Sequence, residues 1–585
     1  MNRPLLWILV FGLLLSTPGL AAPKPPPAPA PADPVSLEAD RLWRAAQASR
    51  ATPLGPVELW RLDRLAGWLP RAAHEGRLRV AARDARATPL YRAMAWWLLR
   101  ERAERRLDRT TVHEAVAALG LLDAFVMRPG QAPAQSTAPL DPATFRVYPS
   151  GAGGGELWLE AFLRPAQETR ATLATRLIAP GGPAVLRFGY DDAITVWLNG
   201  DEVHRSEKEH PAYLDQVAVP VALRPGDNRL VVEVRQHGGA WRLLCRVTDA
   251  LGAPLPGVSA RPDPWGPVPE PAEGPPPAAD AVVHLYTQLG VAESKDPPDA
   301  VGLRALADYA QAAALPDADR LLPRVAVESA WESDPGPRSL RAWLDLLPEA
   351  EQGPVRTTHR AARPLRFEDV YADLALRLDE AWAHFHGRRF VASREVLDTL
   401  RREAPDFWPA LKLEATVLEE LELPNQAVAL LERAGAARGP ALARAAYRDA
   451  LRAAGRTDAL FVALQAEVES GEATADELYQ WAAGLRARGD LVGALATLDR
   501  IGAARPELWG YLLETVDIEQ FEGRREAARA RLEGLLALVP DEPNLLERKA
   551  RMQIAAGEVP AAIETLDRAI AIDPGDAELQ RYRDA

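Results

Sequence analysis

The stretch AAGEVPAAIETLDRAIAIDP, Ala555–Pro574, decides how the C-terminal part of the chain is read. Its Gly557 is the last of three glycines spaced 34 residues apart, Gly489, Gly523 and Gly557. Ala494, Ala528 and Ala562 keep that interval, as do Leu498, Leu532 and Leu566, and Pro506, Pro540 and Pro574. Gly455 falls one interval earlier, and Gly387 two intervals before Gly455. Chance does not match four columns over three units. A 34-residue period belongs to helix-turn-helix units stacked side by side.

The stretch closely resembles the second helix of a tetratricopeptide repeat. The resemblance places Gly557 at the inter-helix turn, the small Ala562 and Ala569 where helices meet, and Pro574 at the end of the unit. The first helices match less well, because Glu519 and Gln553 stand where the family prefers an aromatic residue. Stacked repeats form a concave groove, since each unit rotates slightly on its neighbour. The resemblance implies that the first-helix positions facing this groove are Asp476, Tyr479, Arg486, Leu513, Asp517, Gln520, Asn544, Glu547 and Arg551. The plainer alternative for each is a solvated helix face.

The chain has 585 residues, too many for one core, so several domains are expected. It is 48% hydrophobic and 26% charged, as globular proteins are. A net charge of -13 argues against nucleic-acid binding, which needs a basic face. Residues 1–22, MNRPLLWILVFGLLLSTPGLAA, read as a secretory signal: Arg3, an apolar run from Leu5 to Leu15, then small residues. The run is short for a membrane span, an uncleaved anchor being the alternative, and no Cys follows it to carry a lipoprotein anchor. The expected mature chain is exported, periplasmic or secreted, without a membrane span.

A Pro-rich linker over 23–36 leads into 37–128, where apolar clusters such as YRAMAWWLLRERAERRL have helical spacing. Over 129–262 the period changes to two. Candidate strands are Leu157–Leu163, Ala171–Ile178, Val185–Tyr190, Ile194–Leu198, Val217–Leu223, Leu230–Arg235 and Trp241–Thr248. Asn199-Gly200 is a hairpin signal, and Pro225-Gly226-Asp227-Asn228 a second turn. Seven or so short strands read as a β-sandwich. ITVWLNGDEV followed by VALRPGDNRLVVEV resembles the galactose-binding-like jelly roll, including the sugar-binding module of some β-galactosidase-type glycosidases. A Pro-rich linker spans 263–280, an irregular helical region 281–370, and the repeats 371–585. This order resembles exported bacterial proteins in which a transglutaminase-like domain can follow. No transglutaminase Cys-His-Asp set is recognisable here, so that activity is not carried over.

Asp191-Asp192 precedes a strand, as an Asp-Asp pair does in PA14-like lectins, where it binds calcium and a sugar. Calcium needs six to eight oxygens, so the pair supplies only a start. The alternative is that one Asp holds the turn through backbone amides. His204–His210 (HRSEKEH) lacks metal-ligand spacing and reads as a solvated loop, and His384 and His386 point to different helix faces. Cys245, the only cysteine, falls with Trp241, Leu243 and Val247 on the apolar face of a strand, opposite Arg242, Leu244, Arg246 and Thr248.

The sequence therefore predicts a multidomain α and β protein: an N-terminal helical region, a jelly-roll sandwich and a tetratricopeptide α-solenoid. The function it points to is an exported, non-catalytic scaffold. It would bind a protein or peptide in the repeat groove without a cofactor, the sandwich serving as spacer or carbohydrate contact. The alternatives are a carbohydrate- or cell-wall-binding protein acting through the sandwich, and the front part of an enzyme.

Overall fold

The computed structural model describes residues 33–283 apart from 53, 131–139, 150, 210, 271 and 273, together with 337–344 and 369–585. The signal sequence, most of the first linker, His210 and most of 281–370 lie outside the described residues. Within that last region Pro337–Leu344 is a helix.

The described residues begin with five α-helices, α1 (Pro34–Ala48), α2 (Leu54–Asp63), α3 (Arg71–Arg83), α4 (Pro89–Arg105) and α5 (Arg109–Leu119). Local chemistry sets their ends. Asp33 accepts from the amides of Val35 and Ser36 before Pro34, Thr88 accepts from Tyr91 N before Pro89, and Gly120 closes α5 in the left-handed conformation. Helix α4 is buried on nearly every side, from Leu90 to Leu99. Its apolar residues leave no solvent face because it is a central helix.

Among the described residues eleven strands follow: β1 (Val126–Pro129), β2 (Arg146–Val147), β3 (Leu157–Trp158), β4 (Thr169–Ala179), β5 (Gly182–Tyr190), β6 (Ala193–Leu198), β7 (Asp201–Ser206), β8 (Val217–Leu223), β9 (Gly226–Gln236), β10 (Arg242–Thr248) and β11 (Ser259–Arg261). They form two antiparallel sheets, β2-β1-β4-β9-β6-β7 with β11 also on β4, and β3-β10-β5-β8. Alternate residues of both sheets meet in one buried cluster, with Leu173, Val196 and Val232 from the first and Phe188, Val221 and Cys245 from the second. The two turn motifs interlock. Asn199 Nδ2 donates to Asn228 Oδ1 (2.9 Å), Arg229 N donates to Asn199 Oδ1 (2.8 Å), and Asn228 Nδ2 donates back to Arg224 O (2.9 Å). Both asparagines are buried, so each turn satisfies the other's amide.

Two strand expectations need correction. Only Leu157–Trp158 of the expected Leu157–Leu163 strand is extended; Leu159–Phe162 forms a short helix, α6. The burial of Leu157, Leu159, Ala161 and Leu163 fits an alternating strand and that of Leu159, Phe162 and Leu163 a helical turn, so this short apolar run does not separate the two. The face of β10 expected to be the more polar one is also covered. Leu244, Arg246 and Thr248 are buried. Arg246 donates to Leu119 O of α5 (3.2 Å) and forms a two-pronged ion pair with buried Asp215. The helices α4 and α5 thus pack on the outer side of the smaller sheet, and the two parts make one body.

The C-terminal part is a stack of helix pairs. The first helices of the pairs are α8 (Val370–His386), α10 (Trp408–Glu420), α12 (Ala441–Ala453), α14 (Ala475–Ala487), α16 (Leu513–Phe521) and α18 (Pro543–Ala555). Their partners are α9 (Phe390–Glu403), α11 (Pro424–Arg433), α13 (Thr457–Ser470), α15 (Leu491–Ala504), α17 (Arg525–Leu538) and α19 (Val559–Ile572), with α20 (Ala577–Asp584) closing the array and α7 being Pro337–Leu344. Ala494, Ala528 and Ala562 are fully buried where helices meet, as the period required. Each turn within a pair uses one left-handed residue: Arg388, Glu422, Gly455, Gly489, Gly523 and Gly557. At the first turn the glycine, Gly387, is not the left-handed residue; Arg388 takes that place at φ 55.

Candidate functional site

The groove residues sit on the exposed sides of α14, α16 and α18. Spacings of three, four and seven place each set on one helix face. Thr474 and Glu477 cap the start of α14 reciprocally, a capping box that fixes where its face begins. Leu513, Asp517, Gln520, Asn544, Glu547 and Arg551 line a single cleft of about 430 Å³ together with Arg548. Asp476, Tyr479 and Arg486 lie outside that cleft and adjoin it through contacts between neighbouring first helices. Tyr479 stacks on Tyr511 with ring centres 4.4 Å apart, and Tyr511 donates its hydroxyl to Asp476 Oδ1 (2.5 Å). Arg486 donates to Glu514 Oε1 (2.6 Å).

Most charges in the groove already have partners. Arg548 pairs with Asp517 on the preceding first helix, and Arg551 donates through Nε to Glu547 Oε1 (2.9 Å) while its guanidinium lies over Tyr582. Burial pushes the Tyr511 hydroxyl up to about 12, helped by its bond to Asp476 and that residue's charge; burial and Glu514 raise Tyr479 as well. The floor is therefore a lattice of paired acids and arginines with two tyrosines, holding hydrogen-bond donors and acceptors side by side. A ligand must exchange with these internal pairs, each of which is partly exposed and worth little in water.

Arg548, Glu514 and Tyr511 are site residues the sequence reading missed. A signal for the first two exists. Opposite charges recur about one repeat less one helical turn apart, as in Arg486–Glu514, Asp517–Arg548 and Arg448–Glu477. Tyr511 falls in a 3-10 stretch, Pro506–Leu512, just before the first helix α16. The neighbouring Trp509 is drawn away to donate its indole N–H to Ala161 O of the two-sheet unit (2.7 Å).

Asp191 and Asp192 form the turn between β5 and β6. Asp192 is left-handed (φ 67), and its Oδ2 accepts from His237 N at 2.6 Å. Asp191 N donates to Arg242 O (3.0 Å), and burial next to the Asp192 charge pushes its carboxyl up to about 7. Among the described residues no group of three or more His, Cys, Asp or Glu is arranged to hold a metal ion. Trp158, on β3 across β10 from the strand that ends in this turn, is covered by the guanidiniums of Arg242 and Arg505. Elsewhere, His204 lies on β7 with a ring whose protonation burial disfavours, His386 stacks on Trp382, and burial pushes the Cys245 thiol up, as befits a core residue.

The tetratricopeptide repeat family matches residues 522–583, the stretch with the clearest period. None of the curated proteins matches the chain. Among solved structures, YrrB, described as a tetratricopeptide repeat protein with an unusual peptide-binding site, is 14% identical with a TM-score of 0.27, the match covering 32% of this chain and 98% of YrrB. PilF of Pseudomonas aeruginosa is also 14% identical at a TM-score of 0.27, covering 36% of this chain and 96% of PilF. A thermophilic repeat protein of Thermus thermophilus is 21% identical at a TM-score of 0.16, covering 36% and 97%. The chain carries tetratricopeptide repeats, the architecture of a protein-interaction scaffold. Among the described residues no helix is long and apolar enough to cross a membrane.

Proposed function

We propose that the protein is an exported, non-catalytic scaffold that holds a protein partner by an extended segment in the groove of α14, α16 and α18. The observation that carries this reading is the cleft of about 430 Å³ between α16 and α18, lined by six residues that the tetratricopeptide resemblance assigns to the groove. Its open, mixed-charge floor suits a peptide backbone with polar side chains. The leader-like Met1–Ala22 is the support for export. The two-sheet unit we read as a galactose-binding-like jelly roll in a spacer role. That role is supported by the interlocked Asn199 and Asn228 turns and by the covering of Trp158 by arginines rather than an open aromatic patch.

The test places a photo-reactive amino acid at Gln520 in the groove, or at exposed Glu564 on α19, in the full chain in its native host. Adducts with a discrete partner are expected at Gln520 and not at Glu564. They should be lost when Asn544→Ala and Arg551→Ala are added. Equal labelling at both sites, or adducts indifferent to the double change, would exclude the groove as the binding face. Intact Met1 on the native protein, found by mass spectrometry, would exclude export with cleavage.

A further inference from the structure

We propose that the N-terminal body is a strut that sets the curvature of the repeat array, and so the width of the groove; this builds on the groove being the binding face. The body is a single piece. Helices α4 and α5 are tied to the sheets by Arg246 to Leu119 O, by Leu122 N to Cys245 O (2.8 Å), and by buried Arg100 to Gly153 O (3.2 Å). Gly153 is left-handed, and a side chain there would strike Trp158, so this close approach depends on glycine.

The body meets successive connections between repeats, all along one edge of the array. At the α9–α10 connection, Phe407 is buried in one cluster with Val35, Leu42 and Leu65. At the start of α12, Leu442 packs so closely on Gly67 that any side chain at 67 would collide with it. At the α13–α14 connection, Arg71 pairs with Glu472 (2.9 Å). At the α15–α16 connection, Arg109 donates to Ala503 O, Arg505 covers Trp158, and Trp509 donates to Ala161 O. At the α17–α18 connection, Arg164 pairs with Glu542 (2.5 Å).

A free solenoid touches only nearest neighbours, so its overall curvature is the sum of small, soft rotations between units. A rigid body bonded to every connection from Phe407 to Glu542 removes that softness. None of these contacts uses a residue that lines the cleft. The cleft lies between α16 and α18, whose leading ends are the two anchored by Trp509 and Glu542. Holding both ends pre-forms the cleft, which lowers the ordering cost of binding.

The experiment needs no ligand, so its failure leaves the groove reading untouched. Spin labels on cysteines introduced at Glu395 of α9 and Glu564 of α19 report the span of the array in the full chain. Cys245, with 0% exposure, escapes labelling. The parent should give one narrow distance. Two variants attack the strut: Arg71→Glu with Arg109→Glu and Arg164→Glu, and separately Gly67→Arg, which wedges the Leu442 contact. Broadening of at least twofold in either supports the strut, with Arg86→Glu, an arginine that bonds Asp84 inside the body, remaining as the parent. Parental width in both strut variants overturns it.

Discussion

The two-sheet unit and the repeat array bury comparable chemistry by opposite means. In the sheets, contacts join residues far apart in the chain: β4 pairs with β9, Thr169 opposite Gln236 and Ala179 opposite Gly226. In the array, helix contacts run mainly within a pair or to the next one, as between α18 and α19 and between α17 and α18, although its core joins that of the sheets. The difference teaches where damage should travel. A fault in the sheets should unfold the body as a unit, whereas a fault in one repeat should stay near that repeat.

The largest effect is expected at Asp215. It neutralises Arg246 and faces Arg187 (3.8 Å), both with about 1% exposure. Asp215→Ala leaves two buried guanidiniums without their acid, a loss of about 3–5 kcal/mol. Sheets and N-terminal helices should melt together at lower temperature, seen by hydrogen exchange in β10 and α5 alike. Loss confined to one of them would break the picture of a single body.

Next comes the array. Ala562→Trp overpacks the contact between α18 and α19 at a cost of about 1–3 kcal/mol. Exchange should rise over residues 543–584 and remain at parental values in β4 and β9. If the sheets loosen equally, the array is not divisible in the way the nearest-neighbour argument requires.

The comparison also explains what the sequence made legible. The repeats announce themselves because each is a copy of the last: Gly489, Gly523, Gly557 and their companion columns need no knowledge of the rest of the fold. The earlier repeats are harder, since Arg388 and Glu422 take the left-handed turn position that glycine marks elsewhere. Most of the longer strands were readable from alternation, Val217–Leu223 to the residue and the start of β9 four residues late, whereas the short β1, β2, β7 and β11 were not read. What stayed hidden was long-range. Arg246 reads as a surface residue until α5 covers it, and α6 reads as strand until its partner β10 is seen to pair only through Leu157 and Trp158. Six of the nine positions that the resemblance assigned to the groove line one cleft; Tyr511 escaped because it precedes the regular helix, in the 3-10 stretch.

A smaller effect tests the turn at the opening of β6. Asp192 holds His237 N and sits in left-handed backbone, which Asp and Asn tolerate better than Ala. Asp192→Ala should cost about 1–2 kcal/mol, in chelator and in millimolar calcium equally, and Asp192→Asn less. Thermal unfolding of the full chain reads both. If calcium raises the parent's melting point and Asp192→Ala abolishes the rise, the pair is a calcium site and not a turn.

The smallest effect belongs to its neighbour, and its sign is set by the direction of the shift. Burial and the Asp192 and Glu160 charges lift the Asp191 carboxyl from 3.8 to about 7 in the folded protein. Between those values the folded state holds a proton that the unfolded chain has released. Stability from this group is thus full below about pH 4 and falls as the pH rises toward 7. Asp191→Asn keeps the shape and cannot ionise, so it removes that fall. The variant should match the parent near pH 4 and exceed it at pH 8 by about 1 kcal/mol, less than the full shift would give because the turn can relax toward water. Chemical denaturation at the two pH values measures the gap. A gap of the same size at both would mean that Asp191 is already ionised at little cost, and that the crowding of acids at this turn is relieved by solvent rather than carried by the fold.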